Sequence, residues 1–346
     1  MKKQKKILVL GFFGYETNQL DGQTVKTRMV YRLLNEEGGD RVVYFDMQKL
    51  KKHKAAVFEL IKLVFICRYI VYLPARRNLT FIFPVLFLVC FLMRKRISYF
   101  VIGGWLPAYA GRKRYIRVLL RYIQHIFVET RAMEKQLTGQ LGFRNVAIFP
   151  NFRFFNFTPK PLGNREEFRM VFMSRVTRLK GVDVIFRMAE RLQAEANVKR
   201  IVIDFYGPVN DQEKEWFLAE VEKFNGMVSY KGKLQPEQIF EALSQYDVML
   251  FPTRYPGEGC PGAIIDAYIS GIPVIASDWK YNSEFVEDGV TGIIYDPGNE
   301  DSFLASVHEL MADMDKLSRM KKAAVFKSRE YSQDIAKQLM VKYDIL

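Results

Sequence analysis

A chain of 346 residues exceeds one ordinary core and predicts two domains of about 150 to 180 residues each. An apolar share of 49% fills both and excludes a disordered chain. The net charge of +14 is unevenly placed: residues 1–160 carry 29 Lys+Arg against 9 Asp+Glu, and residues 161–346 carry 23 against 29. The basic part suits nucleic acid, an anionic membrane surface or a phosphorylated substrate, and charge alone does not choose among them. Three cysteines, Cys67, Cys90 and Cys260, with no C-x-x-C spacing and no histidine at metal spacing, argue against a disulfide framework and structural zinc, and predict a reducing cytosol.

Lys2 to Lys6 precede Ile7-Leu8-Val9-Leu10 in imitation of a secretory signal, but the apolar run stops at Gly11 without a small-residue cleavage site, which predicts a first strand over Ile7 to Gly11. A helix over Thr24 to Leu34, a strand over Val42 to Phe45, a helix around Val57 to Ile66 and a strand near Ile70 to Leu73 follow. Leu79 to Met93 is apolar throughout but shorter than the roughly 18 to 20 residues that cross a bilayer, and Pro84 interrupts it. It reads either as a core helix or as a face that docks on a membrane. Basic clusters at Lys49 to Lys54, Arg76-Arg77, Arg94-Lys95-Arg96 and Arg112 to Arg121 adjoin such apolar segments, which favours a membrane surface over nucleic acid. A strand over Ser98 to Ile102 closes the clear part of this half.

Phe149 to Glu167, rich in Pro, Asn and aromatics, reads as a linker. Alternation then restarts: Arg169 to Met173, helix Val182 to Ala194, Ile201 to Tyr206, helix Glu213 to Phe224, Val228 to Lys231, helix Pro236 to Ser244, Val248 to Phe251, Val274 to Ala276, and helices near Asp301 to Met311 and Gln333 to Tyr343. Two rounds of βαβ alternation predict an α/β chain of two doubly wound parallel sheets, whose ligands bind beyond the carboxyl ends of the strands.

Arg175, Lys180 and Gly181 follow the second half's first strand, where a guanidinium fork and an ammonium can clamp a diphosphate; Arg178 is a third candidate. Gly207 and Gly232-Lys233-Leu234 close the next two strands, either letting backbone approach a planar base or simply permitting tight turns. Glu258 lies in the loop Glu258-Gly259-Cys260-Pro261-Gly262, and Asp266, eight positions on, begins an apolar run whose 3.6-residue period predicts a helix with this acid inside it. A loop carboxylate beside exposed backbone N–H groups suits a ligand bearing hydroxyls and phosphates, such as a sugar nucleotide. Asp266 has a second reading, as a helix cap. In the first half, Gly11 to Gly14 lacks the full dinucleotide fingerprint, Asp21-Gly22 opens a helix as an N-cap or a phosphate-facing end, and Gly103-Gly104 closes a strand. His53, His125 and His308 lack partners for catalysis. Asp313 and Asp315 read as solvated acids of a C-terminal helix rather than a metal pair.

Residues 168–300 resemble the donor-binding half of glycosyltransferase family 4, retaining enzymes of the GT-B architecture, in which two Rossmann-like domains face each other across a cleft. The resemblance rests on Arg175 and Lys180, Gly207, Gly232-Lys233-Leu234, the acid-x7-acid pair Glu258 and Asp266, and Gly271-Ile272-Pro273-Val274. It implies an acceptor-binding domain over 1–155 with Gly14, Gly22, Gly103 and Gly104 in its acceptor or phosphate loops. It further implies a donor-binding domain over 165–330 and a C-terminal helix over 331–346 packing back toward the first domain. Glu258 then contacts the transferred sugar, Asp266 the ribose, and Arg175 and Lys180 stabilise the leaving diphosphate, with Gly259, Cys260, Pro261 and Gly262 lining the donor site and no metal or other cofactor. Asp266 is one methylene shorter than the family's usual Glu, and Cys260-Pro261 replaces a more usual Phe-Gly. No histidine stands near Ile102 or Gly103, where many relatives have one. Ile102 to Pro107 is similar to bacterial surface-polysaccharide transferases that act on lipid-linked acceptors.

The expected activity is therefore transfer of a sugar, from a UDP-sugar, to a saccharide on a polyprenyl diphosphate in exopolysaccharide, capsule or O-antigen synthesis, at the inner face of the membrane and without nucleic acid. Two other readings stay open: an epimerase or phosphorylase of similar fold, and a noncatalytic nucleic-acid-binding module that uses the basic half.

Overall fold

The computed structural model describes residues 6–346 except 18, 20, 161, 162, 164, 196–199 and 225; the basic residues Lys2, Lys3 and Lys5 lie outside the described residues. The chain forms two compact units, one of residues 1–154, 257–260 and 332–346, the other of residues 155–256 and 261–331.

In the first unit, β1 (Ile7–Gly11), β2 (Val42–Asp46), β3 (Tyr69–Leu73), β4 (Arg96–Phe100), β5 (His125–Val128) and β6 (Val146–Ile148) form one parallel sheet in the order β2-β1-β3-β4-β5-β6. β1 and β3 are buried along their whole length, as continuous apolar runs covered on both faces should be. The order reverses between β1 and β3, which opens a crevice at their carboxyl ends. Helix α1 (Gly22–Gly38) starts on a reciprocal cap, with Asp21 Oδ1 accepting from Thr24 N–H and Thr24 Oγ1 from Asp21 N–H, both at 2.9 Å. Asp21 is thus an N-cap. At the far end of the chain, Asp344 pairs with Arg96 at 2.8 Å and Tyr343 packs edge-on against His125 and Phe127.

Helix α2 (Ala56–Ile66) and the pair α3 (Arg76–Phe81) and α4 (Phe83–Leu92) carry the apolar segments. The single helix expected over Leu79 to Met93 is broken at Ile82, and Pro84 sits in the first turn of α4, where its missing N–H costs nothing. Phe83, Leu86 and Cys90, spaced by three and four, are buried; Phe81, Val85, Leu88, Phe91 and Leu92 are 56 to 72% exposed. Phe58, Ile61, Phe65 and Ile66 of α2 are also exposed. Lys95 joins the two regions, its Nζ donating to the carbonyls of Val64, Phe65 and Cys67 at the end of α2.

The second unit's parallel sheet has the order β12-β11-β10-β7-β8-β9, built from β7 (Glu167–Met173), β8 (Arg200–Tyr206), β9 (Val228–Tyr230), β10 (Val248–Phe251), β11 (Val274–Ser277) and β12 (Gly292–Tyr295). Counted from its own first strand this is the 3-2-1-4-5-6 order, reversing between β7 and β10. Helix α5 (Val182–Gln193) packs on it through Val182, Ile185, Phe186, Ala189 and Leu192, each large side chain worth roughly 1.5 to 3 kcal/mol of burial. Asp313 caps the helix over Met314–Ser328, accepting from Lys316 N–H at 2.7 Å, rather than lying within it.

Burial, and then Arg96, lower the pKa of His125 from its usual 6.5. A depressed pKa keeps the ring neutral in the folded state, so its contribution is intact above pH 6.5 and is lost as pH falls through and below that value. The unfolding midpoint should drop between pH 7 and pH 5.5, and His125→Gln should flatten that drop; equal slopes for both proteins would show that other groups set it.

Candidate functional site

At the carboxyl edge of the second unit's sheet, β7 runs into Ser174-Arg175 and a single 3-10 turn over Arg178–Lys180 before α5 begins. The turn lies tight against the residue after β10, because a Cβ on Gly181, at φ +80°, would stand 2.0 Å from Pro252 O. Arg254 N–H donates to Leu179 O at 2.8 Å, and its guanidinium pairs with Asp183 at 2.7 Å. These bonds bring Tyr255 beside both predicted cations. Lys180 Nζ lies 4.9 Å from the Tyr255 ring centre and Arg175 Cζ 6.0 Å from it. Lys180 is only 9% exposed. Arg178 takes a different course, its guanidinium 4.0 Å above the Trp216 ring.

The loops after β8 and β9 meet the same edge. Gly207 N–H donates to Gly232 O at 2.8 Å, and Tyr230 OH donates to Gly207 O at 2.8 Å. A Cβ on Gly207, at φ +131°, would fall 1.8 Å from Ser174 O, so the β8 loop is pressed onto the residue preceding Arg175. Gly232 also has positive φ, but nothing stands within 4 Å of its missing Cβ. Lys233 is exposed and Leu234 half-buried. Arg175, Lys180, Gly207 and Gly232 thus share one rim, between the switch-point strands and their neighbours. Asp266, 5% exposed, is the fifth residue of α6 (Gly262–Ile269), whose N-cap is Pro261. It lies inside the helix, so the cap reading does not apply.

Glu258 belongs with the first unit, 7% exposed in the segment Gly257–Cys260. Gly104 N–H donates to Gly257 O at 3.3 Å, and Glu129 Oε2 accepts from both Gly103 N–H and Cys260 N–H at 3.0 Å. Asn151 Nδ2 donates to Cys260 O. Lys26 Nζ lies 2.6 Å from Glu129 Oε1 and donates to Val101 O at 3.2 Å. Gly103 and Gly104 are therefore brought to Glu258's segment, whereas Gly14 closes a turn with Gln19 and Gly22 opens α1. Burial raises the Cys260 thiol far above its usual pKa and keeps it protonated. Among the described residues no group of three or more His, Cys, Asp or Glu is placed to hold a metal ion.

Tyr255, Lys26, Glu129 and Asn151 escape sequence reasoning. Lys26 did leave a trace, standing one turn before Val30 and two before Leu33 on the buried stripe of α1, where a lysine needs a partner. Glu129 is one of only nine acids in the basic part and directly follows a strand. Tyr255 leaves none.

Residues 155–325 match the family model described as glycosyl transferases group 1. Among curated proteins, the chain is 27% identical over 135 residues to the UDP-N-acetylglucosamine–peptide N-acetylglucosaminyltransferase GtfA subunit of Streptococcus gordonii, covering 39% of this chain and 25% of that protein. It is 26% identical over 169 residues to alpha-D-kanosaminyltransferase of Streptomyces kanamyceticus, covering 48% and 42%, and 26% identical over 174 residues to the amylovoran biosynthesis glycosyltransferase AmsK of Erwinia amylovora, covering 49% and 42%. The chain spans less than half the length of these relatives. Among solved structures it resembles Anabaena HepE in complex with UDP, with TM-score 0.76, 16% identity and coverage of 97% of this chain and 98% of that one. Sucrose-phosphate synthase of Thermosynechococcus elongatus gives 0.73, 15%, and 98% of each. The fold is accordingly that of GT-B glycosyltransferases, with two Rossmann-like domains.

Gly207→Ala should destabilise the second unit by at least about 3 kcal/mol, from positive φ plus the clash with Ser174 O, and Gly232→Ala by only about 1 kcal/mol. Urea unfolding of the two variants checks this; equal losses would mean that the β8 loop is not under the packing constraint described.

Proposed function

We propose, on the premise that residues 155–325 form a group 1 glycosyl transferase region, that the protein is a retaining, metal-independent glycosyltransferase of family 4. It moves a sugar from a UDP-sugar to a saccharide acceptor on a polyprenyl diphosphate, in the synthesis of a cell-surface polysaccharide. The observation that carries this reading is the convergence of Arg175 and Lys180 on Tyr255 at the switch point of the second sheet, beside the loops of Gly207 and Gly232. Two fixed cations at that rim neutralise the charge that grows on a departing diphosphate, and they need no reorganisation at the moment of reaction. Gly207 and Gly232 offer backbone to the base, Asp266 reaches the ribose hydroxyls, and Glu258 orients the transferred sugar.

In the reaction the bond from the anomeric carbon to the diphosphate oxygen breaks and its electron pair leaves with the diphosphate. The acceptor hydroxyl oxygen bonds to the anomeric carbon from the same face. Its proton passes to the departing phosphate oxygen, so no protein base is required.

The membrane partner is supported by the first unit. Exposed Phe58, Ile61, Phe65 and Ile66 of α2 and Phe81, Val85, Leu88, Phe91 and Leu92 of α3 and α4 supply apolar surface in the part of the sequence where Lys and Arg outnumber acids by 29 to 9. Such surface, on helices that also expose Lys62, Arg76 and Arg77 beside the single acid Glu59, suits the boundary between anionic headgroups and acyl chains. No helix among the described residues is long and apolar enough to cross a bilayer. The docking proposed is peripheral, at the cytoplasmic leaflet.

Thermal stabilisation by a panel of UDP-, GDP- and ADP-sugars should single out a UDP-sugar, and Lys180→Ala or Glu258→Ala should lower transfer at least 100-fold with the fold retained; wild-type turnover in either variant would refute the site. Flotation with phosphatidylglycerol vesicles should carry the wild-type protein, while Leu88→Ser combined with Phe91→Ser should release it. Equal flotation of both, or none at low salt, would count against the membrane face.

A further inference from the structure

The first unit holds a charge pair that the reading above does not use. Lys26 is 3% and Glu129 2% exposed, and a charge taken that far from water survives only if every part of it is partnered. Lys26 Nζ meets Glu129 Oε1 at 2.6 Å, Val101 O at 3.2 Å and Phe149 O at 3.5 Å. The other carboxylate oxygen is turned to two backbone N–H groups, Gly103 and Cys260, each at 3.0 Å. Glu129 follows β5 and Gly103 follows β4, so both are fixed by the sheet; Cys260 is two residues from Glu258.

We propose that Glu129, held by Lys26, is the positioning residue for Glu258: one carboxylate oxygen pins Cys260 N–H against the Gly103 turn and so sets where the Glu258 side chain stands. Gly104 N–H to Gly257 O secures the other side of Glu258, and Asn151 fixes the Cys260 carbonyl. Gly259 completes the arrangement, since a Cβ there would lie 2.2 Å from Glu129 Oε2 and 2.8 Å from Gly103 Cα. A carboxylate is required because two oxygens are shared among an ammonium and two N–H donors; an amide offers one acceptor oxygen and must abandon one side. The inference rests on the proposed role of Glu258 for its consequence in catalysis, but the pinning itself is a property of the unit.

Two variants test it, Glu129→Gln and, because a buried ammonium left unpaired can unfold the unit, Gly259→Ala. Hydrogen–deuterium exchange should rise at least tenfold in peptides spanning residues 257–260 while β1 and β3 stay protected. In Glu129→Gln, kcat for transfer should fall at least tenfold while UDP, which lacks the sugar, inhibits within a factor of two of its wild-type constant. A purely structural role predicts faster exchange throughout the sheet. Unchanged exchange at 257–260 in both variants, or raised exchange with wild-type kcat, would overturn the proposal. If exchange responds as expected but the wild-type protein transfers no sugar from any nucleotide donor, the pinning stands and the assigned function fails.

Discussion

Parallel strand pairing is the constraint from which the rest of this molecule follows. A parallel strand cannot be joined to its neighbour by a short hairpin, so each connection crosses over the sheet and every strand ends at the same edge. Among the described residues each unit has six strands paired in this way. Chemistry can therefore collect only along two carboxyl edges, and that is where Arg175, Gly207 and Gly232 in one unit and Gly103 and Glu129 in the other are found.

Within each edge, close backbone approach does the positioning. Gly181 against Pro252, Gly207 against Ser174 and Gly259 against Glu129 are places where even a methyl group has no room. These three contacts join loops distant in sequence into rigid rims, and hydrogen bonds such as Gly207 N–H to Gly232 O fix their spacing. Lysine 180 acquires its environment in the same manner, through Tyr255 and Phe251, aromatic faces that hold an ammonium with little water around it.

The apolar helices of the first unit follow a different rule. Leu79 to Met93 has no polar side, so one face fills the core through Phe83, Leu86 and Cys90, and the rest is left uncovered. Composition alone left core and membrane face as alternatives. The structure buries one side of the segment and leaves the other exposed, divided by the helical period and by the break before Pro84.

The amino-acid sequence by itself determined the alternation of strands and helices and the positions of glycines and charges at strand ends, because these depend on local period and turn chemistry. It was silent on β5, β6 and β12, strands of three or four residues. Arg175, Lys180 and Glu258 were visible as residue types in telling places. That Lys180 and Arg175 converge on Tyr255 and that Arg178 goes to Trp216 were not. Least visible was the tie from Lys26 to Glu129, 103 positions away, and from Glu129 to Cys260, 131 positions further on. Only tertiary structure decides such contacts, because they depend on which strand lies beside which and on how closely two backbones can approach, and neither is written in any local stretch of chain.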